Sequence, residues 1–188
     1  MGGSVPGTEA FFSMRTTIAM ISLAVLLSGC THPAVIDSSK SSNTNFQPQN
    51  TLIVVHIPKR YLDELSTFEK AFSGALRNCK IQSSYLYIPA MERDLSLNDE
   101  TAEQKSLVLN ALKQHNPDSL LEISAQSTTS PGETFNGEYA LTLQKTPNFE
   151  KIWNGHASVY NAGSVDFAAT LAKNLQRDGV LKNCQVSN

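Results

Sequence analysis

Three cysteines, a pair of strand-like histidines and two adjacent carboxylate pairs are where this chain could do chemistry. Cys30, Cys79 and Cys184 offer thiols, which serve as nucleophiles, metal ligands, acylation points or disulfide halves. No G-x-S-x-G, H-E-x-x-H, C-x-x-C or phosphate-loop pattern accompanies them. His56 and His156 fall on strand-like segments, and Glu122 or Glu138 could complete a metal site with them. Two histidines without a third ligand at a recognisable spacing read first as ordinary strand residues. Asp63-Glu64 and Asp99-Glu100 stand near helix starts, where carboxylates meet the positive end of the helix dipole. The expectation is a protein that is not an enzyme and needs neither cofactor nor metal. The polar stretch 127–134 joins two strands and is either a contact surface or a long hairpin loop.

The elements that must position these groups follow from periodicity. Residues 51–57, TLIVVHI, form a β-branched run closed by Pro58 and predict a buried strand. Leu62, Leu65, Phe68, Phe72 and Leu76 recur at helical steps and predict an amphipathic helix to Arg77. Residues 81–88 alternate, with Tyr85 and Tyr87 on one side and Pro89 as the stop. Asn98 is a candidate cap for a second, more exposed helix carrying Ala102, Val108, Leu109 and Leu112, stopped by Asn116-Pro117. Strands are expected over 119–126, 135–144 and 149–160. Trp153, Gly155, Ala157 and Val159 share one face of the last. Ser164 is expected to cap a final helix bearing Phe167, Ala168, Leu171, Ala172 and Leu175, ending near Gly179. The order β-α-β-α-β-β-β-α gives an α/β (α+β) fold: a mixed sheet of about five strands, parallel at first and antiparallel in the later meander, with helices packed on it.

The first fifty residues behave differently. From Met14, MRTTIAMISLAVLLSGC places one positive charge before an apolar run and then small residues, the layout of a secretory signal over 1–29. The apolar part is short for a membrane span. Residues 1–13 add nothing to such a signal, so Met14 is a candidate start. The run Leu27-Ser28-Gly29-Cys30 resembles the lipobox of bacterial lipoproteins. The resemblance implies that Cys30 receives a diacylglyceryl group and becomes the N-terminus, giving a palmitate-type anchor that holds the chain at a membrane. Thr31, where an aspartate would favour the inner membrane, implies the outer membrane. An ordinary signal peptide with a chance cysteine is the alternative. Residues 31–50, rich in Ser, Asn, Thr, Gln and Pro, are expected to be a flexible tether, leaving 51–188 as one periplasmic domain.

In an oxidising compartment Cys79 and Cys184 make an even pair. They sit in the echoing stretches LRNCKI and LKNCQV, each leaving a helix. Parallel helices on one sheet face would make those exits neighbours and a disulfide feasible; the alternative is two separately buried thiols. The formal net charge of -2, without a basic block, excludes nucleic acid as a favoured partner.

The strand order, the stretch Lys151-Ile152-Trp153-Asn154-Gly155 and the terminal helix at Ser164 resemble small envelope lipoproteins with a domain similar to the TolB amino-terminal domain. That group includes the curli-secretion lipoprotein and the lipoprotein activators of peptidoglycan synthases. The resemblance implies a non-catalytic outer-membrane lipoprotein whose domain binds another cell-envelope protein or complex. Aromatic anchors dominate protein interfaces. Trp153, Tyr160, Tyr85 and Tyr87 are therefore the expected partner contacts, with burial in the core as the other possibility. The second hypothesis is a small-ligand or metal-binding module using His56 and His156.

Overall fold

The computed structural model describes residues 34–41, 45–90, 101–128, 136–160 and 162–184. The signal segment, Cys30, Asn98, Asp99, Glu100 and most of the 127–134 loop lie outside the described residues. The elements are β1 (Val35–Lys40), β2 (Asn50–Pro58), a short 3-10 turn (Lys59–Tyr61), α1 (Leu62–Asn78), β3 (Gln82–Ala90), α2 (Ala102–His115), β4 (Ser119–Thr128), β5 (Gly137–Lys145), β6 (Glu150–Val159) and α3 (Ser164–Arg177). They build a six-stranded mixed sheet in the order β1-β6-β5-β4-β2-β3. As the crossovers require, β2 pairs in parallel with β3 and β4. The meander β4-β5-β6 is antiparallel.

The sixth strand corrects the expected tether. Residues 35–40 pair antiparallel with β6 along their whole length, from Val35 opposite Ser158 to Lys40 opposite Trp153. Ile36 is buried, while Ser38 and Lys40, on the same side, are held by hydrogen bonds. Ser38 Oγ donates to Asp178, and Lys40 Nζ donates to the Gly179 carbonyl at 3.0 Å. The Trp153 indole N–H donates to the same Asp178 carboxylate at 2.8 Å, and Arg177 donates to it at 2.9 Å. Farther on, Pro48 is buried and Gln47 Nε2 donates to the Lys182 carbonyl. The folded domain therefore includes Ala34, itself buried.

One sheet face carries α1 and α3. Leu65, Phe68, Phe72 and Leu76 of α1 meet Phe167, Leu171 and Leu175 of α3 over Ile53, Val55, Ile123 and Leu141. Phe68 stacks on Phe72 and Phe167 at 5.5 and 5.6 Å, and Phe167 on Tyr139 at 5.3 Å, so one aromatic row joins both helices to β5. On the opposite face α2 buries only Val108 and Ala111, against Leu52, Val54, Ile88 and Leu120. Strands β2 and β4, covered on both faces, are the nearly continuous apolar runs of the sequence. Pro89 does not end β3, because β3 is an edge strand, where a missing N–H is tolerated.

Two expected caps are replaced. Thr101 caps α2, in a reciprocal capping box with Gln104. Gly163 is the N-cap of α3; Ser164 is its first residue and donates to Glu64 Oε2 at 2.9 Å, tying the starts of α1 and α3 together. With the helices side by side and running the same way, Cys79 and Cys184 meet in a disulfide across 105 positions. Gly155 is required by the Trp153 ring, which covers it: a Cβ there would stand 2.9 Å from Cη2.

Three outcomes follow. Replacing Cys79 and Cys184 together by serine is expected to lower unfolding stability by about 2–4 kcal/mol in a urea titration of the oxidised protein. Gly155→Ala is expected to cost about 1–3 kcal/mol, since the rigid indole must shift. Asp178→Ala, which leaves the buried Trp153 N–H without its acceptor, is expected to cost about 1–3 kcal/mol and to speed hydrogen exchange in β1. Burial pushes the Asp178 carboxyl up, but hydrogen bonds from Arg177, Ser38 and Trp153 and the Arg177 charge outweigh it and hold it below its ordinary 3.8. Its contribution to docking β1 is therefore complete above pH 3.8 and is lost only as the pH falls through the lower folded-state value.

Candidate functional site

Helix α2 is too narrow and too sparsely apolar to cover its sheet face, and a groove remains beside it. Leu109, Leu112 and Lys113 form one wall, Asn116 to Asp118 the base, and Thr146, Pro147 and Phe149 of the β5–β6 turn the other wall. The cavity is about 560 Å³ and continues along the sheet past Lys105, Glu122 and Gln144 into a second hollow of about 280 Å³. Leu109 is 52% exposed and Phe149 45%.

Packing holds α2 to the sheet, and hydrogen bonds fix the base and the β5–β6 turn. Thr146 donates from its backbone to the Asp118 carbonyl at 3.0 Å and from its hydroxyl to the Pro117 carbonyl. The Asp118 carboxylate accepts from the Gln49 and Asn50 amides at 2.9 and 3.2 Å. Asn116, in the left-handed region at φ 41°, closes α2. Phe149 is left-handed too, at φ 54°, a conformation strained for an aromatic residue. The ring is exposed, so that backbone angle is not offset by burial in the core.

Sequence reasoning singled out neither Phe149 nor the exposure of Leu109. The signal for the latter was present: Leu107, Val108 and Leu109 are consecutive, and at 100° per residue they cannot share one buried stripe. Val108 is buried, whereas Leu107 and Leu109 are exposed.

The expected partner contacts separate. Trp153 is fully buried in the main core, so it is corrected from contact to core residue. Tyr85 and Tyr87 are half-buried against the same core and turn their hydroxyls inward. Tyr85 Oη donates to the Glu69 carbonyl at 3.4 Å and accepts from Ser73 at 3.0 Å, and Tyr87 Oη donates to the Ile57 carbonyl at 3.0 Å. Burial raises both phenols above their ordinary pKa. Only Tyr160 of the four is exposed. Its hydroxyl donates to Glu138 at 2.6 Å, and Ser158 donates to the same carboxylate at 2.7 Å. Burial pushes the Glu138 carboxyl up, but these two bonds and the His156 charge outweigh it and bring it below its ordinary value.

His156 Nε2 lies 3.3 Å from Glu138. His56 is not its neighbour: Ser124 and Ala140 stand between them in the row His56, Ser124, Ala140, His156. Three strand spacings of about 4.8 Å put the two some 14 Å apart, too far to share one ion. No group of three or more metal-ligating side chains occurs among the described residues. No helix among them is long and apolar enough to cross a membrane.

No protein-family model and no curated protein matches the chain. Among solved structures it is similar to a single-residue variant of the PelC dodecamer from Paraburkholderia phytofirmans, at 12% identity and TM-score 0.46, over 79% of this chain and 98% of that one. A second PelC dodecamer crystal form from the same organism gives 12%, 0.46, 79% and 97%. Lipoprotein GNA1162 from Neisseria meningitidis gives 14% identity and TM-score 0.38, over 69% of this chain and 96% of that one.

Replacing Phe149 by asparagine, which tolerates the left-handed region, is expected to leave stability within about 1 kcal/mol, because relieved backbone strain offsets lost apolar contact. The same change should weaken binding of an apolar fluorescent dye to the groove. A loss of several kcal/mol in the urea titration would instead make Phe149 a core residue.

Proposed function

We propose that this protein is a non-catalytic outer-membrane lipoprotein, anchored by lipid on Cys30, whose periplasmic domain binds another cell-envelope protein through the groove beside α2. The observation that carries the reading is Leu27-Ser28-Gly29-Cys30 at the end of a signal-like apolar run. The disulfide between Cys79 and Cys184 accords with an oxidising compartment. The groove suits a protein partner because its exposed part is apolar, with Lys113 and Asp118 beside Leu109 and Phe149, the pattern of an apolar centre in a polar rim. Its side chains offer contact area rather than a nucleophile with a base.

A second reading is a small apolar ligand, favoured by a cavity of about 560 Å³, within the range such ligands occupy. Native mass spectrometry of the purified protein separates the two: a bound small molecule displaced by Leu109→Lys supports the ligand.

The function is tested by palmitate labelling and chemical crosslinking of the full-length protein in cells. Wild type is expected to take up label, fractionate with the outer membrane and give one crosslinked envelope complex. Cys30→Ser should lose label and membrane association, and Leu109→Lys should keep both but lose the complex. Label that persists in Cys30→Ser would contradict the anchor, and a complex untouched by Leu109→Lys would contradict the groove.

A further inference from the structure

The exposed large apolar side chains among the described residues fall into two groups. Of the seven large ones among the described residues, Leu107, Leu109 and Phe149 belong to α2 and the turn across the groove. The other four, Val35 (57% exposed), Leu62 (37%), Tyr160 (43%) and Val165 (51%), come from four separate elements. The topology gathers them. Val35 begins β1 opposite Ser158 near the end of β6, and Tyr160 follows β6 directly. Leu62 begins α1 just beyond the end of β2, and Val165 stands in the first turn of α3. The Ser164 to Glu64 hydrogen bond holds those two helix starts together.

The chain also leaves the domain at this end. Cys30 and the buried Ala34 are four positions apart, so even a fully extended connection spans at most about 14 Å. A lipidated Cys30 would thus keep the start of β1 within that distance of the bilayer surface, and the end that can reach the membrane exposes four apolar side chains.

We propose that the end formed by Val35, Leu62, Tyr160 and Val165 rests on the lipid surface that holds Cys30; this rests on the lipid-anchored reading above. Among the described residues, Lys59, Asp63 and Asp166 are exposed around the patch and show no excess of positive charge for anionic lipid. The surface it fits is that of electrically neutral headgroups, entered shallowly by Val35 and Val165, with Tyr160 at the polar boundary, where tyrosine is favoured. Four side chains alone would bind lipid weakly. The anchor makes the contact intramolecular and supplies the effective concentration. The groove then lies at the far end of strands such as β6, ten residues long, about 30 Å away and facing the aqueous compartment.

The test uses the full-length lipidated protein in phosphatidylcholine vesicles whose acyl chains carry bromine quenchers. With Cys30 acylated and Cys79 bonded to Cys184, a single added cysteine can be labelled selectively with a fluorophore. Val165→Cys and Leu62→Cys probe the proposed contact, and Glu150→Cys, at the start of β6, probes the far end. Mass spectrometry of the same preparations establishes the lipid on Cys30. Strong quenching at 165 and 62 with none at 150 is expected. Lipidated protein without quenching at 165 and 62, or with equal quenching at 150, overturns the orientation alone. Protein whose Cys30 carries no lipid overturns the anchored reading and the orientation with it.

Discussion

The Asp178 carboxylate is the joint on which the architecture depends. It sits at the end of α3 and gathers donors from three directions: Ser38 of β1, Trp153 of β6 and the neighbouring Arg177. Through it a strand with one buried apolar residue is fixed to the sheet and to the last helix. Without β1 the pleated edge of β6 would be open, an invitation to pair with another chain. With it the described fold includes Ala34, four positions after Cys30. Charge-assisted hydrogen bonds thus hold β1 against the sheet and the last helix.

The joint also explains what the sequence concealed. Ile36, Ser38 and Lys40 point the same way, and two of the three are polar, so no alternation of apolar residues announces a strand. Their satisfaction comes from Asp178 and the Gly179 carbonyl, some 140 positions away, and such a pairing leaves no trace in local composition. The remaining strands and helices were legible because their burial is apolar and periodic: the run from Leu52 to Ile57, the stripe from Leu65 to Leu76, the alternation along β5. The disulfide was legible because both cysteines follow helices that leave the same sheet face in the same direction.

The candidate site was less legible, for a related reason. Aromatic residues are sound candidates for contact, but Trp153 covers Gly155 and feeds its N–H to Asp178, so its ring is used inside the fold. Phe149 is exposed as Tyr160 is, and its left-handed backbone belongs to a turn that no strand pattern foretells. The histidines share a sheet row, yet two strands separate them, and register alone could reveal that distance. Leu109 illustrates the opposite case: its exposure follows from arithmetic on three adjacent apolar residues of one helix.

The proposed function and orientation together assign the domain two working ends, a lipid-facing end at the starts of β1, α1 and α3 and a groove at the other. The measurement that tests this most directly is photo-crosslinking in living cells from a single reactive side chain placed in turn at position 109 and at position 165. The account predicts protein captured from 109, with that capture lost when Cys30 is serine, and lipid captured from 165. Lipid captured from 109, or the same protein captured from both positions, would contradict it.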